Sequence, residues 1–170
     1  MKALVVIDML NDFVLKNAPL EVPKARGIIK NIRSEISKAH RKNIPVIYVC
    51  DTHKKDDKEF NIWPAHAVKG TEGQRVVREL NPGVKDYIVS KTTYSGFFKT
   101  GLERLLKKLN IKDLTLTGVC TNICILYTAS DATLRGYSVT VPQNCVAALN
   151  DEDHGFALRQ MREILKTEVV

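Results

Sequence analysis

Residues 114–124 read Leu-Thr-Leu-Thr-Gly-Val-Cys-Thr-Asn-Ile-Cys, and they lead into a segment, Ile125–Arg135, whose composition predicts a helix. The pattern predicts a β-strand, a turn at Gly118–Cys124 and a helix, the repeating unit of an α/β protein. A cysteine in the first turn of a helix lies beside backbone N–H groups and the positive end of the helix dipole, which stabilise a thiolate. Cys124 is therefore a candidate nucleophile.

The cysteine pattern leaves alternatives open. Spacing alone does not separate Cys120 from Cys124, and a buried cysteine is most often only a small apolar side chain. The pair could also form a disulfide or half of a metal site, although Cys50 and Cys145 stand alone and disfavour a four-thiolate zinc site. Without an export signal, we expect all four thiols to be reduced.

Composition indicates one globular domain spanning residues 1–170, with 44% apolar residues and a formal net charge of +7. Most of the basic side chains belong to two predicted helical faces, Lys24–Lys42 and Arg104–Lys112, so we interpret them as solvated surface and expect no nucleic-acid partner. No apolar run is long enough for a membrane span or signal peptide, which predicts a cytoplasmic protein with no membrane partner.

The rest of the chain alternates short apolar runs with amphipathic segments, which predicts a mostly parallel sheet covered by helices on both faces. Strands are predicted at Lys2–Asp8, Pro45–Asp51, Asp86–Lys91, Asp113–Val119 and Ser138–Val141, with a short edge strand at Thr167–Val170. Helices are predicted at Pro23–Asn43, near Glu72–Leu80, around Leu102–Leu109, at Ile125–Arg135 and at Glu152–Lys166, while Asn11–Pro23 and Thr52–Gly70 are predicted to be loops.

The first four predicted strands end in reactive side chains, which in an α/β sheet meet at one crevice. Asp8, Lys91 and Cys124 suit attack by a sulfur nucleophile on an acyl carbon. The carboxylate takes the thiol proton and returns it to the leaving amine, while the lysine keeps that carboxylate ionised and lowers the pKa of the thiol. Backbone N–H groups at Cys120 and Cys124 would form an oxyanion hole, typically about 3 kcal/mol per donor.

A possible metal centre follows the second strand. Asp51, His53, Glu59 and His66 place two imidazoles and two carboxylates on one connection, a set that suits Zn(II), Fe(II) or Mn(II) better than Ca(II) or Mg(II). Spacing alone equally allows two unconnected surface histidines. If a metal binds, we expect it to position the substrate, because the cysteine already supplies the nucleophile.

These residues resemble the isochorismatase-like cysteine hydrolase superfamily and, within it, the nicotinamidases. Five stretches that together span nearly the whole chain carry the resemblance: VIDMLNDF at 6–13, DTH at 51–53, WPAHAVKGT at 63–71, KTTYSGF at 91–97 and GVCTNIC at 118–124.

The resemblance implies a three-layer α/β/α fold with a six-stranded, mostly parallel sheet of Rossmann-like topology. It implies a triad of Asp8, Lys91 and Cys124 and a cis peptide before Cys120. It also implies a divalent metal, most simply Zn(II), held by Asp51, His53 and His66 with Glu59 as a further carboxylate ligand. Phe13, Trp63 and Tyr94 match the aromatic side chains that enclose the substrate ring.

The implied reaction is hydrolysis of nicotinamide to nicotinate and ammonia through a thioester, a step of NAD salvage. Leu10, Asn122 and Ala67 depart from the usual superfamily residues without touching the triad. Amidases acting on N-carbamoylsarcosine or other small amides therefore remain an alternative, as does a non-catalytic binding homologue. The partners expected are a small amide substrate and further copies of the chain, since relatives commonly form homo-oligomers.

Overall fold

The computed structural model describes residues 1–170 and contains one sheet in which every pair of strands is parallel. Six strands follow the order β3-β2-β1-β4-β5-β7, and the two-residue β6 pairs with the end of β4. The strands are β1 (Lys2–Ile7), β2 (Val46–Asp51), β3 (Tyr87–Lys91), β4 (Asp113–Val119), β5 (Ser138–Val141), β6 (Val146–Ala147) and β7 (Glu168–Val169).

Helices cover both faces of the sheet, because alternate residues of each central strand point to opposite sides. On β1, Ala3, Val5 and Ile7 belong to one apolar core, and Leu4 and Val6 belong to the other. The helices are α1 (Asn11–Val14), α2 (Ala25–Arg41), α3 (Leu102–Lys108), α4 (Leu126–Leu134) and α5 (Asp151–Glu163). The first two pack on one face and the last three on the other, so the three-layer α/β/α prediction is confirmed.

Several details differ from the sequence predictions. The sheet has seven strands rather than six, because Val146–Ala147 adds a pairing too short to give a periodic signal. The predicted helix at Glu72–Leu80 is only a 3₁₀ turn at Arg78–Leu80, and the predicted loop after β1 begins with the one-turn helix α1. The helix predicted from Ile125 begins with a π-helical turn at Thr121–Ile125.

The carboxyl ends of four neighbouring strands meet where the strand order reverses, between β1 and β4. Ile7 pairs with Val49 on one side and with Gly118 on the other, and Asp51 pairs with Lys91. Gly118 has a φ of +115°, and a β-carbon there would lie 1.9 Å from the Ile7 carbonyl oxygen. Only glycine therefore allows β1 and β4 to approach so closely at this end.

None of the helices combines the length and the apolar character that crossing a lipid bilayer demands.

Candidate active site

A buried lysine lies at the centre of the crevice. Lys91 Nζ is 2.7 Å from Asp8 Oδ2, 2.5 Å from Asp51 Oδ1 and 3.5 Å from Cys124 Sγ. The other Asp8 oxygen accepts a 2.8 Å hydrogen bond from the Asp51 backbone N–H. The three residues predicted as a triad thus come together, each supplied by the end of a different strand or by the turn after β4.

Burial and mutual attraction set the charges in this cluster. Burial opposes the charge on Lys91, but Asp51 and Asp8 hold its pKa well above the usual value. Burial likewise opposes ionisation of Asp51, yet the Lys91 ammonium keeps the pKa of that carboxyl low. For Asp8, burial and the neighbouring Asp51 charge raise the pKa to about 6 against the attraction of Lys91. Asp8 therefore has the pKa of a group that exchanges protons near neutrality.

Burial and charge act in opposite directions on the pKa of Cys124. Burial raises the pKa of its thiol well above the usual value, although the Lys91 charge acts in the opposite direction. Shielding of the sulfur from solvent thus outweighs the attraction of the lysine. Burial therefore favours the thiol form, and attack by the sulfur requires proton transfer to a nearby base.

Cys120 differs from Cys124 in the group that it presents to the site. The Val119–Cys120 peptide bond is cis, as the resemblance implies, and the Cys120 N–H has no hydrogen-bond acceptor within the protein. Burial raises the pKa of the Cys120 thiol to about 12, and Lys91 contacts Cys124 instead. All four cysteines are free thiols, so no disulfide joins this pair. Cys120 thus offers a backbone donor, and Cys124 offers the sulfur.

Beside the lysine lies a cluster of three potential metal ligands. One ligand atom from each of Asp51, His53 and His66 falls within 4.8 Å of the others, and all three residues are buried. The second Asp51 oxygen, Oδ2, lies 3.9 Å from His53 Nε2 and 3.8 Å from His66 Nε2. Asp51 thus divides its two oxygens between the lysine and the histidines.

The hydrogen bonds of the two histidines show that a cation fits here. His53 Nδ1 lies 3.1 Å from an Asp57 carboxylate oxygen, and His66 Nδ1 lies 2.7 Å from the Pro64 carbonyl oxygen. Both partners accept only, which favours the tautomer with the proton on each Nδ1 and a lone pair on each Nε2, the nitrogen that faces Asp51. His53 Nε2 has no partner within the protein. Two lone pairs facing a carboxylate oxygen repel one another unless a cation lies among them.

A short backbone pairing brings the two histidines together, although thirteen positions separate them in the chain. His53 forms a parallel bridge with Val68, and its N–H donates to the Ala67 carbonyl at 3.0 Å. The rings of His53 and His66 then lie 4.7 Å apart, centroid to centroid. The loop is therefore ordered by backbone hydrogen bonds, and unconnected surface histidines are excluded.

Glu59 stands apart from the other three predicted ligands. It lies on a 3₁₀ turn, Lys58–Asn61, and lines the adjoining pocket, but it is not part of the group of ligand atoms within 4.8 Å. The Glu59 N–H donates a hydrogen bond to Asp57 Oδ1, which caps this turn. A direct role for Glu59 in ligation stays a prediction.

The sulfur and the metal ligands open into a pocket of about 230 Å³ with a mainly apolar lining. Phe13, Trp63 and Tyr94 line it as predicted, and Trp63 Nε1 donates a 3.2 Å hydrogen bond to the Tyr94 hydroxyl. The ring of Tyr94 stacks on Tyr127 with 5.7 Å between centroids. Trp63 and Tyr94 are therefore held to each other, and Tyr94 is held to α4.

Sequence reasoning missed part of the lining and one polar support. Leu20, Val22, Ile123 and Leu149 line the pocket, but isolated aliphatic residues in loops and single turns give no periodic signal. Asp57 was missed because an aspartate in a charged loop resembles ordinary solvated surface until its contact with His53 is known.

Comparison with known proteins agrees with this geometry. A family model described as the isochorismatase domain matches residues 2–169. The chain belongs to the isochorismatase family.

Solved isochorismatase-family structures superpose closely on it. The nicotinamidase/pyrazinamidase PncA from Bacillus subtilis is 34% identical, with a TM-score of 0.95 over 99% of this chain and 98% of that one. N-carbamoylsarcosine amidase from Thermoplasma acidophilum is 35% identical, with a TM-score of 0.90 over 99% and 94% of the two chains. A zinc complex of Pyrococcus horikoshii pyrazinamidase is 30% identical, with a TM-score of 0.93 over 99% and 98%.

Family membership confirms the predicted α/β fold and identifies the protein as a hydrolase of the isochorismatase family, whose members include enzymes that act on amide C–N bonds.

Proposed function

We propose that the protein is a cysteine amidohydrolase that converts nicotinamide to nicotinate and ammonia, with a divalent metal, most simply Zn(II), positioning the substrate. The observation that carries this proposal is the contact of one buried ammonium, Lys91, with both the Asp8–Cys124 pair and the metal-ligating Asp51. Nucleophile, base and metal ligands then face one small pocket. Such an enzyme would serve NAD salvage in the cytoplasm, and we expect it to assemble as a homo-oligomer.

In the first half of the reaction, Asp8 takes the proton of the Cys124 thiol as the sulfur attacks the carboxamide carbon. The Cys120 N–H, free of protein acceptors, donates to the oxygen that becomes negatively charged, and the Cys124 N–H is the second donor. Asp8 then returns its proton to the leaving nitrogen, so ammonia departs and a thioester to Cys124 remains. Lys91 keeps Asp8 ionised at the start of this cycle.

In the second half, water replaces ammonia. Asp8 takes a proton from a water molecule that attacks the thioester carbon, and the same N–H groups stabilise the second tetrahedral intermediate. Cys124 leaves with that proton and the acid is released. A divalent metal held by Asp51, His53 and His66 would act as a Lewis acid that binds the ring nitrogen, directly or through water.

Pocket charge supports a neutral amide over an N-carbamoyl acid. The lining includes the carboxylates Asp8, Glu21, Asp51 and Glu59 but no lysine or arginine. Lys91 lies behind this surface and is already engaged by two carboxylates. A substrate that carries its own carboxylate would therefore lack a side-chain counter-ion, whereas the apolar walls suit an uncharged ring.

The alternative of an amidase acting on N-carbamoylsarcosine rests on the similarity to the Thermoplasma acidophilum enzyme. A non-catalytic binding role would leave the Asp8–Lys91–Cys124 contacts without a purpose, since burying these charges is costly.

The test is ammonia release by the purified protein, measured with nicotinamide and with N-carbamoylsarcosine, before and after chelation and with Zn(II), Mn(II) or Fe(II) restored. We expect turnover of nicotinamide that chelation removes and metal restores. Cys124→Ala should lower it by at least about a thousandfold. Cys120→Ala is the matched control and should retain most activity, because only its backbone N–H is used.

Turnover of the N-carbamoyl acid alone would show that the substrate is an N-carbamoyl compound. No turnover of either amide with any metal would favour a binding role. Equal activity in the two cysteine variants would overturn the mechanism.

A further inference from the structure

Asp57 is a carboxylate with both oxygens engaged at the edge of the metal-ligand cluster. One oxygen, Oδ2, lies 3.1 Å from His53 Nδ1. The other, Oδ1, accepts a 3.0 Å hydrogen bond from the Glu59 N–H and so caps the 3₁₀ turn Lys58–Asn61. One side chain therefore connects a histidine of the cluster with the turn that carries the fourth predicted ligand.

The contact with Asp57 decides which nitrogen of His53 is available to a metal. A neutral imidazole carries its proton on one nitrogen only, and an ionised carboxylate accepts hydrogen bonds but cannot donate them. Asp57 thus favours the tautomer with the proton on Nδ1, which leaves a lone pair on Nε2. His53 is 1% exposed, and its Nε2 has no hydrogen-bond partner, because Asp51 Oδ2 lies 3.9 Å from it, whereas Asp57 Oδ2 lies 3.1 Å from Nδ1.

His66 reaches the same tautomer by a different route. Its Nδ1 donates to the Pro64 carbonyl at 2.7 Å, a backbone contact that side-chain substitution does not remove. Asp57 is thus the one side chain through which the tautomer of a histidine in this cluster can be changed without altering a ligand. Such outer partners of metal-bound histidines typically contribute tenfold to a hundredfold in metal affinity.

We propose that Asp57 is a positioning residue of the metal centre: it holds His53 as the Nδ1–H tautomer and anchors the Glu59 turn, and it thereby sets the affinity for a divalent metal. This inference rests on the metal site of the proposed function but not on the identity of the amide. Asp57 itself does not contact the substrate pocket.

The experiment compares Asp57→Ala and Asp57→Asn with Asp56→Asn. Asp56 is an exposed carboxylate on the same loop with no hydrogen bond to the cluster, so its variant makes the same change of charge nearby. Zn(II) affinity is measured by competition with a chromophoric chelator. The tautomer of His53 is read in the metal-free protein from ring ¹⁵N chemical shifts, and thermal unfolding of each metal-free variant checks that it folds.

We expect Zn(II) binding to weaken by about 10- to 100-fold in Asp57→Ala and to stay unchanged in Asp56→Asn. The metal-free wild type should show His53 protonated on Nδ1, and Asp57→Ala should shift the proton toward Nε2. If Asp57→Ala does not fold, Asp57→Asn provides the same comparison, because the amide retains an acceptor for the Glu59 N–H.

An unchanged tautomer together with unchanged Zn(II) affinity would overturn the role of Asp57. Weaker binding of equal size in Asp56→Asn would also overturn it, since the effect would then be one of overall charge. Failure of the wild type to bind Zn(II) would instead overturn the metal centre of the proposed function and this proposal with it.

Discussion

At the scale of single residues, Asp51 connects the two halves of the site. One of its oxygens contacts Lys91, and the other faces the Nε2 atoms of His53 and His66. The same carboxylate therefore helps to hold the ammonium that controls Asp8 and supplies a ligand to the proposed metal. Neither half of the site is independent of the other.

Lys91 offers a direct test of this arrangement. Replacing it by methionine keeps the side-chain volume but leaves Asp8 and Asp51 buried without a counter-ion. Removing one partner from a buried ion pair typically costs about 3–5 kcal/mol. We therefore expect Lys91→Met to lower the free energy of unfolding by about that amount in the metal-free protein at neutral pH, as measured by urea denaturation.

Lys108→Met is the matched control, since Lys108 is exposed near the end of α3. It should unfold with the wild-type free energy. Equal stability of the two variants would show that Lys91 does not neutralise the buried carboxylates.

At the scale of elements, the metal-binding loop is held by a contact with α1. Asp12 Oδ2 accepts a 2.8 Å hydrogen bond from the N–H of Ala67, the fully buried residue next to His66. Gly73 makes room for this carboxylate, because a β-carbon at Gly73 would lie 2.1 Å from Asp12 Oδ2. The lack of a side chain at Gly73 therefore allows Asp12 of α1 to anchor the loop that carries His66.

Gly73→Ala should disrupt this anchor. The Asp12 carboxylate must move away from the new methyl group, which leaves the buried Ala67 N–H without its acceptor, a loss of about 1–3 kcal/mol. Urea denaturation should show a decrease of that size. Asp12→Ala in the same background should add little, because both changes remove one contact.

Gly27→Ala is the control for this substitution. Gly27 lies in α2 with open space at the point that a β-carbon would occupy, so alanine should leave stability unchanged or raise it by up to about 1 kcal/mol. A decrease in Gly27→Ala equal to that in Gly73→Ala would contradict the explanation through Asp12.

At the scale of the whole molecule, the proposed metal joins segments that are brought together only by folding. Its proposed ligands are Asp51 at the end of β2, His53 in the bridge with Val68, and His66 two residues before Val68. The unfolded chain lacks this geometry, so a metal that binds there stabilises the native state through mass action.

Chelation should accordingly lower the Tm. At a Zn(II) concentration about a hundredfold above Kd, binding contributes about 2.7 kcal/mol, which for a chain of this length corresponds to roughly 5–10 °C. Differential scanning calorimetry with and without chelator measures the shift. His66→Ala should show no such shift, and an unchanged wild-type Tm after chelation would argue against a metal in this cluster.

Much of the architecture could be predicted from local patterns. The apolar runs before Asp8 and Asp51 are buried strands, because parallel strands covered on both faces need apolar side chains at nearly every position. The strand before Lys91 lies at the edge of the sheet and is largely exposed. The Val146–Ala147 strand and the π-helical turn at Thr121–Ile125 could not be predicted, since a two-residue pairing and a one-turn irregularity leave no periodic pattern.

The amino-acid order alone was enough to specify the three-layer α/β fold and to bring Asp8, Lys91 and Cys124 to one crevice, because apolar periodicity and strand ends are local properties. The burial of Cys124, the separation of Glu59 from the histidines and the contact of Asp57 with His53 were settled by the folded arrangement. These depend on burial and on distances between atoms far apart in the chain, and desolvation and hydrogen bonding act through space rather than along the sequence.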